Sequence, residues 1–425
     1  MNNIVIVGGG FAGTTLARSL ERQLPEGHRV VLVSEESYTT FNPMLAEVVG
    51  AAVFPEQVVA PIRQMLDARR SQFVMGRATR VDFERRTVHA RTLAGEQEIA
   101  FDHLVLAFGT RANIELVPGM KEHALPLKLV GDAMHIRNRV LQRVARIELE
   151  SDPVERMRLG HFIVIGGGFS GVEVAGGLAD FLHSALRYYP RVQPHELKVT
   201  VLQDADRLLL ELPESLGMSA QRSLMSRGVD VRLKSRAAEV SADGVMLDDG
   251  QPLAGATVIS TIGTRPNPFV AQLDVPQQRG RIETEADLSV RDHYGVWAIG
   301  DCALVPNGET MQFAPPTAQF AVAEAKALAR NIVAAVKGQA TAPFSHRSKG
   351  MMATTGHLKG VAQIGSVKLS GLPAWMLWRA YYLLQMPTLG RKLRIWVEWT
   401  WSMFFAADIT HLRFTRTADA DAPTP

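Results

Sequence analysis

Cysteine is almost missing from this chain: 425 residues include one, Cys302. A lone thiol excludes an internal disulfide, a Cys-x-x-Cys redox pair, a cysteine-ligated iron–sulfur cluster and a four-cysteine zinc site. Such scarcity is expected of a protein from a reducing compartment. Metal-ligand spacing is missing as well. The 12 histidines form no His-x-x-x-His pair, so no metal site is expected. Charge of one sign is also absent: 46 Lys and Arg stand against 43 Asp and Glu, a net +3. That near balance disfavours nucleic acid as a partner. No apolar run reaches the roughly 18–20 residues needed to span a bilayer. Met1-Asn2-Asn3 leads straight into a strand-like run, without the basic, apolar and cleavage segments of a signal peptide. No low-complexity block occurs before residues 417–425, which are expected to form a disordered tail.

Glycine, by contrast, is placed with a pattern. Gly8-Gly9-Gly10-Phe11-Ala12-Gly13 follows the apolar run Ile4-Val5-Ile6-Val7. Gly166-Gly167-Gly168-Phe169-Ser170-Gly171 follows Phe162-Ile163-Val164-Ile165. Each leads into a helix-like stretch. In that context Gly-x-Gly-x-x-Gly is a dinucleotide fingerprint: the glycines serve a tight turn, close approach to a pyrophosphate and helix–strand packing. One copy is a weak signal. Two in context point to a protein that holds two dinucleotides and passes electrons between them.

An acidic residue is expected about twenty residues after such a turn, on the ribose hydroxyls. After the first turn the slot falls on Ser34, with Glu35 beside it. Glu35 is therefore either a ribose ligand or an exposed loop carboxylate. After the second turn the slot reads Gln203, with Asp204 adjacent. A neutral Gln does not repel a 2′-phosphate, which leaves NADPH admissible beside NADH.

Segments with strand period place antiparallel strands over roughly 74–101, inserted into the first unit. A buried strand, Leu104-Val105-Leu106-Ala107, ends at Phe108-Gly109. A helix is expected over about 133–150, a second doubly wound unit over about 115–280, and a strand at 295–299 closing on Gly300-Asp301. The expected fold is α/β, with two Rossmann-like dinucleotide-binding domains, the second inserted in the first. The parts are 1–114 with 281–345, 115–280, and a C-terminal amphipathic helical membrane-binding region at 346–416.

These motifs together resemble the two-dinucleotide-binding-domain flavoproteins. The resemblance implies FAD on the first unit and NAD(P)H on the second. It implies that Asp301 hydrogen-bonds the flavin ribityl chain. The implied cofactor contacts are Gly8, Gly10, Phe11, Ala12, Gly13, Glu35, Asn42, Pro43, Ala107, Gly109, Gly300, Asp301 and Ala318 for FAD. For the nicotinamide nucleotide they are Gly166, Gly168, Gly171, Gln203 and Gly263. The missing cysteines set aside the thiol-dependent branches of that superfamily, and Cys302 reads as a small buried hydrophobe.

What remains resembles the type II, non-proton-pumping NADH:quinone oxidoreductases. Residues 38–50 (Tyr-Thr-Thr-Phe-Asn-Pro-Met-Leu-Ala-Glu-Val-Val-Gly) are similar to that family's loop near the flavin. Residues 168–177 resemble its NADH-site helix. Residues 314–321 (Ala-Pro-Pro-Thr-Ala-Gln-Phe-Ala) resemble its quinone segment, and residues 372–378 the start of its membrane-binding region. The resemblance implies electron transfer from NADH to a membrane quinone, with Glu173 beside nicotinamide and flavin and Gln319 as an amide donor to the quinone. By residues alone, Glu173 is equally a polar helix residue. The family's second quinone-site Gln is Ala323 here, with Glu324 next, which leaves the quinone geometry open.

Five of the six tryptophans follow residue 370, among Arg379, Arg391, Lys392 and Arg394. Two helices are expected there, at about 374–385 and 389–407. Rings mixed with cations suit bilayer headgroups, and the cations favour anionic lipid. The expected location is peripheral, on the cytoplasmic face of the cell membrane. A homodimer interface also accounts for exposed rings. Two rival functions stay open on the residues: a soluble NAD(P)H reductase for a ferredoxin or rubredoxin, and a slow-turnover flavin redox sensor.

Overall fold

The computed structural model describes residues 2–412; the tail expected at 417–425 lies outside them. The chain opens with strand β1 (Asn2–Val7), helix α1 (Phe11–Glu21) and strand β2 (His28–Ser34). β2 lies parallel to β1, with Val7 opposite Val33. A short helix α2 (Leu45–Val49) follows. Next come β3 (Ser71–Asp82) and, after two antiparallel strands at Thr87–Thr92 and Gly95–Ala100, β4 (His103–Leu106). The 74–101 region is thus not wholly an insertion. The first half of β3 extends the parallel sheet beside β2, and its second half pairs antiparallel with Thr87–Thr92. A register shift between Ala78 and Arg80 marks the change of partner, as a bulge bends a long strand.

Two short strands, Thr110–Ala112 and Thr264–Pro266, run antiparallel to each other. They carry the chain out to a second sheet and back. Between them lie α3 (Val130–Leu149), β5 (His161–Ile165), α4 (Phe169–Ala185), β6 (Lys198–Leu202), β7 (Asp230–Arg232) and β8 (Thr257–Ser260). Strand β5 sits between β8 and β6, all parallel, as β1 sits between β4 and β2. Both central strands are buried along nearly their whole length, which is why they read as unbroken apolar runs rather than alternating ones. The chain then returns to the first sheet with β9 (Val296–Ala298), parallel to β4. Helix α5 (Ala318–Val336) follows and packs on α1.

The C-terminal part departs from a purely helical expectation. It begins with a three-stranded antiparallel sheet at Met351–Thr354, Gly360–Ile364 and Val367–Gly371. Only then come α6 (Leu372–Gln385) and α7 (Leu389–Phe404). Among the described residues no helix is long and apolar enough to cross a membrane.

Candidate functional site

Each glycine turn is built by one backbone requirement. Gly8 has φ +121°, and a Cβ there would sit 2.3 Å from the Ala107 carbonyl oxygen. Only glycine therefore lets the end of β1 press against the end of β4, which brings Ala107 and Gly109 to the turn. Gly13 packs onto the Gly8 carbonyl closely enough that a Cβ would overlap it, and Gly171 does the same to Gly166. Helices α1 and α4 start from Gly10 and Gly168, with no side-chain cap and no acid in the first turn. Their free N–H groups and dipoles are left for an anion.

The first turn opens into a cavity of about 830 Å³. Gly8, Gly10, Phe11, Ala12, Glu35, Asn42, Pro43, Ala107, Gly109, Gly300, Asp301 and Ala318 all line it. A Cβ at Gly10 would meet nothing within 4 Å, so the turn leaves room there. From the second unit come Phe169 and Glu173 on α4 and Gly263 beyond β8, and from α6 comes Tyr382. The cavity thus runs from the first turn to the start of α4 and touches the C-terminal part.

The Gly300-Asp301 turn is held from two sides. Gly300 N–H donates to Glu324 Oε2 at 2.6 Å, and Arg281 Nε donates to the Asp301 carbonyl at 3.1 Å. Burial pushes the Glu324 carboxyl up to about 7, against the Gly300 hydrogen bond that lowers it. Cys302 is buried beside them. Burial pushes its thiol up to about 12, far from the thiolate that redox work requires.

Glu173 stands on α4, 8% exposed. Its Oε1 accepts from Thr354 N–H at 3.1 Å and from the Trp378 indole N–H at 3.0 Å. Burial above all, with a contribution from Glu47, pushes its carboxyl up to about 8 against those two hydrogen bonds. That shift favours the protonated carboxyl over the carboxylate. Glu47, on α2, accepts from the Trp399 indole at 3.0 Å. Its pKa is raised by burial and lowered in part by Arg379. The Arg379 guanidinium lies 3.8 Å from the Trp375 ring centre and 4.8 Å from that of Trp399. Burial pushes it down to about 10.

These contacts correct the reading of the C-terminal rings as a headgroup belt. Trp375, Trp378 and Trp399 are buried; only Trp396 and Trp401 of the five are exposed. The cause is that the Glu173 and Glu47 carboxyls and the half-buried Arg379 guanidinium need partners, and these indoles supply them.

Other expected residues are placed differently. Gln319 does not line the cavity, although its neighbour Ala318 does; its Oε1 accepts from Lys349 N–H at 3.2 Å. Gly13, Gly166, Gly168 and Gly171 build the turns without lining this cavity. Gln203 is buried, with Oε1 accepting from Gly167 N–H at 2.8 Å. Glu35 lines the cavity but is paired with Arg111 at 2.8 Å. Arg111, Lys128 and Tyr382 line it too. Nothing in the spacing pointed to the first two, and Tyr382 lay hidden in the aromatic C-terminus.

The profile of the pyridine nucleotide-disulphide oxidoreductases matches residues 2–325. Type II NADH:quinone oxidoreductase Ndh of Mycobacterium tuberculosis is 28% identical, covering 94% of this chain and 87% of its own length. An internal alternative NAD(P)H-ubiquinone oxidoreductase A1 of Solanum tuberosum mitochondria is also 28% identical, with 96% and 88% covered. In fold, the chain is similar to NDH2 from Plasmodium falciparum, solved in complex with NADH. The TM-score is 0.88 at 16% identity, with 96% of this chain and 99% of that one covered. With two glycine turns, the inserted second sheet and the Gly300-Asp301 turn in one frame, the chain belongs to the pyridine nucleotide-disulphide oxidoreductase family.

Proposed function

We propose that this protein is an FAD-dependent NADH dehydrogenase that passes two electrons to a membrane quinone without pumping protons. The observation that carries this reading is one continuous cavity. It runs from the first glycine turn past Asp301 to Glu173 and Tyr382, without the cysteine pair that gives the family its name. Relatives named for NADH:quinone and NAD(P)H-ubiquinone oxidoreduction support the same donor and acceptor.

The residues present fit FAD. The uncapped first turn of α1 suits a pyrophosphate, Gly10 leaves the approach clear, and Asp301 lines the same cavity. We assign the flavin to residues 1–114 with 281–345, and the nicotinamide nucleotide to 115–280. When bound, FAD supplies two-electron acceptance from nicotinamide and delivery to a quinone. The chain's own part is position and proton supply. Glu173 holds a proton at the cavity wall, and Trp378 and Thr354 fix its carboxyl. We read Glu173 as the proton-bearing residue and Gln319 as a quinone-side amide.

The exposed face of α7 supports a peripheral location. Leu389, Leu393, Trp396, Val397, Trp401 and Phe404 project from it, each more than half exposed. A stripe of that size marks a contact surface. We place it on a bilayer at the cytoplasmic face, where the soluble nicotinamide nucleotide is at hand; a second copy of the chain is the alternative occupant. The testing experiment is anaerobic titration of the purified flavoprotein with NADH, then with a quinone. Bleaching by NADH and recovery by quinone are expected. Bleaching without recovery would overturn the quinone reading.

A further inference from the structure

Helix α4 carries a second carboxylate, Asp180, two turns after Glu173 and on the same face. Its Oδ2 accepts from His357 N–H at 2.6 Å, and its Oδ1 accepts from Arg227. The same guanidinium donates to the His357 carbonyl. Arg227 lies just past helix Glu214–Met225. Within that helix, the Ser223 hydroxyl shares a hydrogen bond of 2.7 Å with that of Thr355. The turn 355–359 joins strands Met351–Thr354 and Gly360–Ile364. It is thus fastened to the second unit from two sides.

The backbone is shaped for this seat. Gly176, between the two carboxylates on α4, would put a Cβ 2.4 Å from the Thr355 carbonyl carbon. Gly356 takes φ +112°, and a Cβ there would sit 2.5 Å from Asp180 Oδ2. Both positions need glycine for the turn to lie against the helix. The seated hairpin then supplies what Glu173 touches. Thr354, the last residue before the turn, gives it a backbone N–H, and Met352 of the same strand lines the cavity. The His357 ring meets Trp375 edge-on at 5.7 Å, and a Cβ on Gly360 would lie 3.1 Å from the Trp375 backbone nitrogen. Trp375 stands in the first turn of α6, one turn before Trp378, whose indole is the other donor to Glu173. Both donors to Glu173 therefore hang on one hairpin, and the hairpin on Asp180.

We propose that Asp180, held by Arg227, is a positioning residue for Glu173: it seats the 355–359 turn so that the Thr354 and Trp378 N–H groups meet the Glu173 carboxyl. The inference rests on the reading of Glu173 as the proton-bearing residue only for its effect on turnover. Both N–H groups stabilise the ionised carboxyl, so a displaced hairpin raises its pKa further. Glu47 on α2 and Tyr382 on α6 are the other titratable side chains facing Glu173; strand Met351–Thr354 carries none. Loss of the Asp180 charge by itself acts in the opposite direction, since a nearby anion raises a carboxyl pKa. The sign of the shift therefore separates positioning from charge.

The test is a pH titration of the purified flavoprotein by infrared spectroscopy, following the protonated-carboxyl band that Glu173→Gln removes. In the parent that band should fade as pH rises through about 8. In Asp180→Asn the amide must set its NH₂ against either the His357 N–H or Arg227, so one fastening is lost. The band should then persist about one pH unit higher. It should do so again in a Glu47→Gln background, which removes the carboxyl that links Asp180 to Glu173 by charge. A folded Asp180→Asn protein whose band fades where the parent's does, or lower, overturns the proposal, however far its melting temperature drops. If Asp180→Asn does not fold, Arg227→Lys decides in the same way. It keeps the charge beside Asp180 but loses the planar fork that reaches both Asp180 and the His357 carbonyl. Turnover with quinone separates the two readings. A band displaced upward with no matching move in the alkaline limb of kcat upholds the positioning and sinks Glu173 as the proton supply instead.

Discussion

Glu173 is under opposed influences, and their balance is measurable. Two hydrogen bonds favour its ionised form, while burial and Glu47 favour the protonated one and prevail, at about 8. Its folded pKa is raised, so the proton is present below that value and lost as pH rises through it. If this carboxyl feeds quinone reduction, kcat with quinone should decline above about pH 8. Glu173→Gln keeps the Trp378 and Thr354 contacts through its amide oxygen but cannot release a proton. A lower kcat without that alkaline limb is expected from pH profiles between 6 and about 9.5. An unaltered limb in the variant would assign it to another group. Cys302 gives the opposite kind of prediction. With its thiol buried and pushed up to about 12, iodoacetamide should modify it only after unfolding, as read by mass spectrometry. Turnover of Cys302→Ala should stay near that of the unmodified chain. Rapid alkylation of the native protein would contradict the burial on which this rests.

Helices α6 and α7 are joined to the dinucleotide units through indoles. Trp378 serves Glu173 on α4, and Trp399 serves Glu47 on α2. Arg379 lies between Trp375 and Trp399. Trp399→Phe keeps most of the ring and removes one N–H from a buried carboxylate. The expected cost is about 1–3 kcal/mol, the penalty for an unsatisfied buried group. Urea unfolding should show it, and Glu47→Leu in the same background should recover part of it. If the double variant is no more stable than Trp399→Phe alone, the coupling is absent. This scale also explains what the residues could reveal. Gly8-x-Gly10-x-x-Gly13 was legible because its spacing is imposed by a local turn, and β1 and β5 because full burial leaves an unbroken apolar run. Gln203 was legible as a position but not as an orientation, since Gly167 N–H lies 36 residues away in sequence. The strands at 351–371 went unseen because two of the three are largely exposed or short, and period alone is weak there. The buried tryptophans were unreadable for a further reason: composition counts rings and cations, while burial depends on carboxylates more than two hundred residues earlier.

At the scale of the molecule, the C-terminal part cannot be treated as a detachable anchor. Beyond α7 the chain folds back on α3: Arg137 Nη2 donates to the Asp408 carbonyl at 3.2 Å, and Asn138 exchanges hydrogen bonds with Leu412. Removing everything after about 370 would strip Glu173, Glu47 and Arg137 of hydrogen-bond partners at once, so aggregation is the expected result rather than a clean soluble enzyme. Point changes on the outer face of α7 are the sharper instrument. Most of the cations meant for anionic headgroups are committed elsewhere: Arg379 is half-buried against the Trp375 and Trp399 rings, Arg391 donates to Gln57, and Lys392 donates to the Leu384 carbonyl. Only Arg394 stays exposed and without a partner among the described residues. At about 1 kcal/mol per basic residue near a surface, the electrostatic share is small beside the burial of leucine, tryptophan and phenylalanine rows, each about 1.5–3 kcal/mol when fully buried. Binding to vesicles should therefore depend little on anionic lipid and survive high salt. Leu393→Glu with Trp396→Glu should abolish co-sedimentation with neutral phosphatidylcholine vesicles while turnover with a short-chain, water-soluble quinone persists. Co-sedimentation that vanishes with salt would return the weight to the cations. A double variant that still binds vesicles but sediments as a smaller species would show that a second copy of the chain, not lipid, covers this face.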